Sequence, residues 1–257
     1  MKVSIITINY NNSEGLEKTI QSVVEQSFAD FEFIIIDGGS SDNSLEIIKK
    51  YGSKISHWVS EKDRGIYNAQ NKGIKAAKGE YTLFLNSGDY LAEKNILQKV
   101  FDKNISADIA YGNMFIVFPD GRKEKGYMPA EITFYQMIRD TLWHPVSFIK
   151  RSLFEKYGGY NEDFKIVADY DFFLNMLIVK KVSTQYLNEF ISVFNHDGKS
   201  SLPENMETIK MERKLAQLQY FHPSVIELAD QYQKLQKVNA EIPVTFQQKI
   251  KSLFKKT

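Results

Sequence analysis

The sequence predicts an α/β fold, a mostly parallel sheet flanked by helices with a smaller antiparallel and helical part after it. Over residues 1–91, short β-branched runs alternate with segments whose apolar residues recur at helical spacing. Strand, helix and strand at this spacing indicate crossover connections between parallel strands. After residue 91 the apolar runs are joined by tight-turn residues, which is typical of antiparallel pairing.

Within residues 1–91 the predicted elements follow one another without a linker. Ser13 is expected to cap the first helix, and Gly52 and Gly79 to end the second and third. The strands are "KVSIITI", "FEFIIID", "SHWVS" and "YTLFL", and the helices are "SEGLEKTIQSVVEQS", "SDNSLEIIKKYG" and "GIYNAQNKGIKAAKG".

The remaining chain mixes helices with antiparallel strands. "NILQKVF" is predicted to be a helix, and "ADIAYGNMFIVF" and "RKEKGYM" form a hairpin around Pro119, Asp120 and Gly121. "PVSFIKRSLFEKYGGY" is read as a strand entering a helix, and "DYDFFLNMLIV" as a helix. "TQYLNEFISVFNH" is expected to be an antiparallel pair, and residues 203–236 to be helical.

Composition excludes several classes of function. The formal net charge is +1, which argues against nucleic-acid binding as the main activity. The chain has no cysteine, which excludes disulfides, thiolate metal sites and cysteine nucleophiles. The N-terminal apolar stretch is too short for a signal peptide, and no run is long enough to span a membrane. We expect a soluble cytosolic protein.

Polar side chains stand at the end of each of the four predicted parallel strands. Any one of them could serve a turn or a helix cap, but ligands of open α/β sheets bind beyond these strand ends. The sequence therefore predicts a binding site there, although Asp37-Gly-Gly-Ser lacks the spacing of a dinucleotide fingerprint. The strand-end residues are Thr7, Asn9, Tyr10 and Asn11; Asp37; Glu61, Asp63 and Arg64; and Asn86, Ser87 and Asp89.

Four stretches in order, "VSIITINYN", "SVVEQSFADFEFIIIDGGSSD", "EKDRGIYNAQNKGIKAAKGEYTLFLNSGDYL" and "IVADYDFFL", resemble the family 2 glycosyltransferases. The similarity is greatest to the bacterial subgroup that builds exopolysaccharide, colanic acid and capsule. The resemblance implies a GT-A fold and inverting transfer of a hexosyl or N-acetylhexosaminyl group. The expected donor is a nucleotide sugar, with UDP favoured, and the expected acceptor is a hydroxyl of a glycan or lipid-linked molecule.

The resemblance also divides the chain and assigns donor-side residues. Residues 1–200 would form the GT-A domain, with a donor half at 1–91 and an acceptor half at 92–200, followed by an extension at 201–257. Asp89 would bind Mn²⁺ or Mg²⁺, since both prefer oxygen ligands. Gly38 departs from the family pattern, which has a second acid there. The donor-binding residues would be Thr7, Asn9, Tyr10, Asp37, Asp63, Arg64, Asn86 and Ser87.

On the acceptor side the resemblance makes Asp169 the general base, although Ala168 replaces the first acid of the family's pair. An acid near a helix N-terminus could instead serve the helix dipole. Asp171, His144 and His196 are weaker acceptor-side candidates, and each could equally be a structural residue.

Three further possibilities stay open from the sequence. Residues 244–257 form a basic, amphipathic segment that would touch the inner face of the plasma membrane weakly, pack in a homodimer, or be a solvated terminus. A nucleotidyltransferase shares the α/β layout, but "NYNNSEG" lacks the glycine-rich loop with a basic residue that this class uses. A catalytically eroded nucleotide-sugar-binding protein would explain the missing second acids.

Overall fold

The parallel half of the predicted sheet is the centre of a larger mixed sheet. In the computed structural model, which describes residues 1–241, nine strands form one sheet in the order β3-β2-β1-β4-β8-β6-β9-β5, with β7 beside β6. The α/β prediction is confirmed. The strands are β1 (Val3–Asn9), β2 (Phe31–Asp37), β3 (His57–Ser60), β4 (Tyr81–Phe84), β5 (Tyr90–Leu91), β6 (Ile109–Val117), β7 (Lys123–Gly126), β8 (Ser147–Lys150) and β9 (Thr184–Asn195).

Helices cover both faces of this sheet. The first three follow β1, β2 and β3 and connect the parallel strands, as the alternating pattern predicts. The helices are α1 (Ser13–Val24), α2 (Ser44–Lys50), α3 (Ile66–Ala76), α4 (Ile96–Asp102), α5 (Phe134–Arg139), α6 (Arg151–Tyr157), α7 (Ala168–Leu174), α8 (Met206–Tyr220) and α9 (Pro223–Glu241).

The register of the parallel strands places their polar ends side by side. Asn9 of β1 is paired with Asp37 of β2, and Asp37 is paired with Ser60 of β3. β1, β2 and β4 are buried along most of their length, which explains their continuous apolar runs. The carboxyl ends therefore form one edge on which the predicted polar residues assemble.

Three local predictions about helix ends need correction. Asn12, not Ser13, caps α1, because its Oδ1 accepts the backbone N–H of Gly15 at 3.2 Å. Gly52 opens a 3₁₀ turn at Gly52–Lys54 after α2 has ended. Gly79 lies beyond α3 against β1, where an added Cβ would stand 2.6 Å from the Ser4 nitrogen. Close backbone approach, not helix termination, therefore explains this glycine.

The antiparallel part contains the predicted hairpin and one corrected strand. β6 and β7 pair with Met114 opposite Gly126, as predicted. The expected pair in "TQYLNEFISVFNH" is instead the single strand β9, parallel to β6. Asn188 adopts a φ of +53° there, and the register with β6 shifts at the same place. A bulge in a continuous strand thus produced the turn-like pattern.

The C-terminal helices pack onto the rest of the chain. The predicted helical stretch after residue 203 is two helices, since α8 ends at Tyr220 and α9 begins at Pro223. Ala216 of α8 is fully buried in the core cluster that includes Ile6 of β1. None of the helices in residues 1–241 is both long and apolar enough to cross a membrane. The basic segment at 244–257 lies outside the described residues, so its prediction is untested.

Candidate active site

Asp37 at the end of β2 is a buried anchor for the neighbouring strand ends. Its Oδ1 accepts hydrogen bonds from Asn9 Nδ2 at 2.7 Å and Ser40 Oγ at 2.6 Å, and its Oδ2 accepts from Ser60 Oγ at 2.6 Å and the Ser40 N–H at 3.0 Å. Burial alone would raise the pKa of Asp37, but these bonds hold it below its usual value. The carboxylate is ionised and fixes the Asp37–Ser40 turn.

The end of β1 directs some polar groups inward and one aromatic ring outward. Thr7 is buried, and its hydroxyl donates to the Leu85 carbonyl at 2.7 Å, which ties β1 to the end of β4. The Asn9 Oδ1 is buried without a hydrogen-bond partner among residues 1–241. Tyr10, in contrast, is 66% exposed. Its ring is therefore open to a ligand at this edge.

Asp63 occupies space that Gly38 leaves free. A Cβ added at Gly38 would lie 3.3 Å from Asp63 Oδ2 and 3.3 Å from the Tyr10 ring. The other carboxylate oxygen of Asp63 pairs with Lys72 at 2.5 Å. A second acid at position 38 would thus crowd an acid already present. The next residue, Arg64, is exposed and reaches Glu162 at 2.8 Å.

The loop after β4 passes close to the start of α1. Gly88 has a φ of +104°, a conformation that favours glycine, and its N–H is bonded to Thr19 Oγ1 at 3.0 Å. Asn12 Nδ2 donates to the Ser87 carbonyl at 3.0 Å. These bonds hold Asn86, Ser87 and the carboxylate that follows them at the same edge as Tyr10.

Asp89 is a buried carboxylate with few partners. It is 5% exposed, and its Oδ1 accepts the backbone N–H of Asn195 at 3.0 Å. Burial raises the pKa of Asp89 to about 7, and nearby Asp197 adds to the increase, while His144 and the Asn195 N–H oppose it. In residues 1–241 no three His, Asp or Glu side chains converge on a point that could hold a metal ion.

His144 links the end of β4 to the start of α7. Asn86 Nδ2, which can only donate, lies 3.2 Å from His144 Nε2, so Nε2 accepts and Nδ1 carries the proton. Nδ1 then donates to Asp169 Oδ2 at 3.1 Å. Residues from three separate parts of the sequence are thereby joined as Asn86–His144–Asp169.

The second oxygen of Asp169 is also held. Asp169 Oδ1 accepts the Tyr170 backbone N–H at 2.9 Å and faces the Tyr67 hydroxyl at 3.0 Å. Burial tends to raise the pKa of Asp169, but the bonds from His144, Tyr170 and Tyr67 keep it below the usual value. Asp169 is therefore ionised at neutral pH, whereas burial shifts Asp89 towards its protonated form.

A cavity of about 360 Å³ opens beside His144 and Asp169. Its wall is mainly apolar and includes a few polar side chains, as in many small-molecule sites. Asp37 and Asp89 are not part of this wall. The lining residues are Met114, Ile116, Asp140, Thr141, Trp143, His144, Pro145, Ile166, Val167, Asp169, Tyr170, Phe194, His196, Ser200, Ser201, Ile209 and Arg213.

The weaker acceptor-side candidates separate in the structure. His196 lines the cavity and packs against Phe118 and Phe194. Asp171 lies apart from the cavity, 7% exposed, and burial raises its pKa while a hydrogen bond from Tyr220 of α8 opposes that change. Its side chain faces α8 and is not among the residues that line the cavity.

Helix α8 contributes residues that the sequence did not reveal. The buried Glu212 carboxylate accepts the N–H groups of Lys165 at 2.8 Å, Ile166 at 3.0 Å and Val167 at 3.3 Å. The adjacent Arg213 donates to the Asp140 carbonyl at 3.0 Å. α8 therefore fixes the segments that lead to Asp169 and to His144. In the sequence, Glu212 and Arg213 are two charged residues among many in this helix, so no local pattern indicates their role.

Comparisons with known proteins agree on one family. The model of "Glycosyl transferase family 2" matches residues 4–171. A Mycobacterium tuberculosis protein named as an uncharacterized glycosyltransferase is 32% identical over 183 residues, which cover 69% of each chain. A Mycobacterium bovis PGL/p-HBAD biosynthesis glycosyltransferase is 27% identical over 201 residues, 76% of this chain and 77% of the relative.

Two solved structures are similar in fold. Residues 1–349 of Staphylococcus aureus TarS in complex with UDP give a TM-score of 0.66 at 21% identity, over 89% of this chain and 69% of that one. The mannosyltransferase PcManGT from Pyrobaculum calidifontis, in complex with GDP-Man and Mn²⁺, gives 0.57 at 16% identity, over 98% and 79%. At these identities the likeness shows the GT-A fold.

Proposed function

Because this chain belongs to glycosyl transferase family 2, it is a glycosyltransferase, and we propose that Asp169 is its general base in an inverting transfer. The observation that carries this proposal is the chain Asn86–His144–Asp169, with contacts of 3.2 and 3.1 Å. It joins the donor-side strand end to an ionised carboxylate on the cavity wall. A base needs this combination of charge, fixed orientation and access to the acceptor.

The free lone pair on Asp169 identifies the oxygen that would take the proton. Oδ1 faces two donors, whereas His144 is the one donor that Oδ2 meets among residues 1–241. In the proposed step the acceptor O–H bond breaks and its proton passes to Oδ2. The acceptor oxygen forms a bond to the anomeric carbon, and the bond from that carbon to the phosphate oxygen breaks. The electron pair leaves with the nucleoside diphosphate.

The donor is proposed to be a UDP-sugar that supplies a hexosyl or N-acetylhexosaminyl group. Two TarS structures similar in fold contain UDP and UDP-GlcNAc. In our proposal the exposed Tyr10 ring stacks on the nucleobase, and the neighbouring Asp63 carboxylate accepts a hydrogen bond from it. Arg64 is exposed and could pair two diphosphate oxygens. The donor would be contacted by Asn86 and Ser87. The same site would be lined by Thr7, Asn9 and Asp37.

The surroundings of Asp89 suit a divalent cation, which the donor diphosphate would also bind. It is a buried carboxylate next to another acid, and no lysine or arginine among residues 1–241 forms an ion pair with it. A lone protein carboxylate also suits Mg²⁺ or Mn²⁺, which commonly keep waters and substrate oxygens as ligands. When bound, the cation would supply charge neutralisation for the leaving diphosphate.

The acceptor is proposed to be a glycan or lipid-linked hydroxyl compound used in bacterial surface polysaccharide synthesis. The apolar wall around Trp143 and Phe194 supports an acceptor with an apolar part, and His196 lies on the same wall. The name of the M. bovis relative refers to PGL/p-HBAD biosynthesis and supports a role in a biosynthetic pathway. We further propose that residues 1–200 form the GT-A domain and residues 201–257 an extension. The protein would act in the cytoplasm, in weak contact with the inner face of the plasma membrane through residues 244–257.

The experiment that tests this function is a donor panel. Purified protein is incubated with UDP-glucose, UDP-GlcNAc, GDP-mannose or dTDP-glucose, with and without Mn²⁺, and the released nucleotide is quantified. We expect UDP release that depends on Mn²⁺ and increases when a hydroxyl acceptor is added. Formation of a nucleoside triphosphate and a sugar 1-phosphate when pyrophosphate is added would indicate nucleotidyl transfer instead. Binding without any turnover would show a nucleotide-sugar-binding protein.

Replacing Asp89 by asparagine should abolish metal-dependent turnover and yet stabilise the fold at pH 8. The folded state pays an electrostatic penalty for ionising Asp89, because burial raises its pKa to about 7 from 3.8. This penalty is absent below the unfolded pKa, grows as the pH rises from 3.8 to about 7, and is complete above that. We expect the free energy of unfolding to increase by about 1–2 kcal/mol at pH 8, by less at pH 5 and not at all at pH 3, as measured by urea denaturation. Full activity with unchanged Mn²⁺ dependence would contradict the assignment.

A further inference from the structure

Tyr67 of α3 brings a buried hydroxyl group to Asp169 from a distant part of the sequence. Tyr67 is 5% exposed, and its ring packs in the core against Tyr160 with centroids 5.6 Å apart. Its Oη lies 3.0 Å from Asp169 Oδ1 and also contacts the Ile166 carbonyl. Tyr67 is therefore in direct contact with the proposed base but does not line the cavity.

The hydrogen bonds around Asp169 distinguish its two oxygens. Oδ1 faces both the Tyr170 N–H and the Tyr67 hydroxyl, and an ionised carboxylate oxygen has about two lone-pair sites. Within the described part of the chain, Oδ2 meets His144 Nδ1 alone and keeps one site open. We propose that Tyr67 is a positioning residue that saturates Oδ1 of Asp169, so that only Oδ2 can receive the acceptor's proton.

The hydroxyl proton of Tyr67 has two acceptors within reach. The Ile166 carbonyl is the nearer acceptor, but a bond to an ionised carboxylate is stronger than one to a neutral carbonyl, so we place the proton towards Asp169 while Asp169 is charged. The Ile166 carbonyl is itself fixed, because the Ile166 N–H is bonded to Glu212. Burial and the negative charge of Asp169 hold the pKa of Tyr67 well above its usual value. Tyr67 thus remains a neutral donor throughout the working pH range.

The other groups around Asp169 do not duplicate this role. His144 contacts only Oδ2, and the hydroxyl of Tyr160 is buried without a hydrogen-bond partner among residues 1–241. From α8, Glu212 and Arg213 bind backbone groups of other residues. Among the described side chains, the Tyr67 hydroxyl is the one that reaches Oδ1. Removing it should therefore raise the pKa of Asp169 and free a second basic site on the carboxylate.

The inference rests on the proposed function of Asp169, and its test can separate the two. The variant is Tyr67→Phe, which keeps the ring and removes the hydroxyl, and the matched control is Tyr160→Phe. The Asp169 carboxyl is titrated by ¹³C NMR, with its resonance assigned through Asp169→Asn. UDP release from UDP-GlcNAc with Mn²⁺ is measured over the same pH range.

We expect the Asp169 midpoint and the acidic limb of kcat/KM to move to higher pH in Tyr67→Phe and to stay in place in Tyr160→Phe. Loss of one hydrogen bond of this kind should lower kcat about tenfold, with KM for the donor unchanged. Difluorotyrosine at position 67, a stronger donor of similar shape, should move the Asp169 midpoint in the opposite direction. The difluorotyrosine variant also tests the inference if the Tyr67→Phe protein does not fold.

Two results would overturn the inference: an Asp169 midpoint unchanged in Tyr67→Phe, or the same upward change in Tyr160→Phe. If Asp169→Asn retains turnover, the proposed base is wrong, whatever Tyr67 does to the Asp169 carboxyl. If Asp169→Asn is inactive while Tyr67→Phe behaves like the wild type in both measurements, the inference about Tyr67 alone fails.

Discussion

Replacing Asp169 by asparagine should reduce turnover by about 10²–10⁴-fold, the range typical of a lost general base. The amide oxygen can still accept the Tyr170 N–H, so the start of the helix should survive, but the amide cannot take up a proton at neutral pH. Donor binding should change little, because the loss falls on the chemical step. Single-turnover kinetics with a UDP-sugar, together with calorimetric binding of UDP, would measure the two effects separately.

Asp171→Asn is the matched control for this variant. It makes the same chemical change two residues away on the same helix, where the side chain faces Tyr220 and not the cavity. We expect turnover close to that of the wild type. Equal losses in the two variants, or an Asp169→Asn protein within fivefold of wild-type turnover, would remove Asp169 as the base.

Replacing Glu212 by alanine should be the most destabilising single change considered, about 3–4 kcal/mol in the free energy of unfolding. The carboxylate accepts three backbone N–H groups in a buried setting, and all three would lose their partner. The segment 165–167 that precedes Asp169 would loosen, so kcat should fall as well. Urea denaturation followed by circular dichroism gives the stability, and nucleotide release gives kcat.

Glu207→Ala on the same helix is the control. The Glu207 side chain is 89% exposed, and its ion pair to Lys210 is long at 3.9 Å. No measurable change in stability is expected there. Glu212→Gln should give an intermediate loss, because the amide keeps one acceptor oxygen. A Glu212→Ala protein as stable as Glu207→Ala would show that the N–H groups of residues 165–167 find other partners.

The sequence predicts the parallel half of the fold well because two-sided burial imposes a simple pattern. β1, β2 and β4 must be apolar on both faces, and each crossover helix must be amphipathic, so the alternation is visible locally. The sequence of β9 resembles two paired strands because Asn188 forms a bulge within one strand, and only the register with β6 distinguishes a bulge from a turn.

The candidate site is predicted less completely, because residue type at a strand end does not give side-chain direction. Thr7 and Asp37 stand at the predicted edge, but their polar atoms are bonded within the protein. Tyr67 and Glu212 contact the surroundings of Asp169 across long sequence separations. No local pattern encodes such contacts, which arise only when α3, α7 and α8 pack together.

The central claim is that Asp89 and Asp169 serve one cleft at the carboxyl ends of the parallel strands. A crystal structure of the protein with UDP and Mn²⁺, with the metal located by anomalous scattering, tests this most directly. We predict that Asp89 and the diphosphate bind Mn²⁺, that the nucleobase lies beside Tyr10, and that the diphosphate faces the cavity that Asp169 lines. A nucleotide bound elsewhere, such as the separate cleft lined by Asn71 and Arg151, would contradict it.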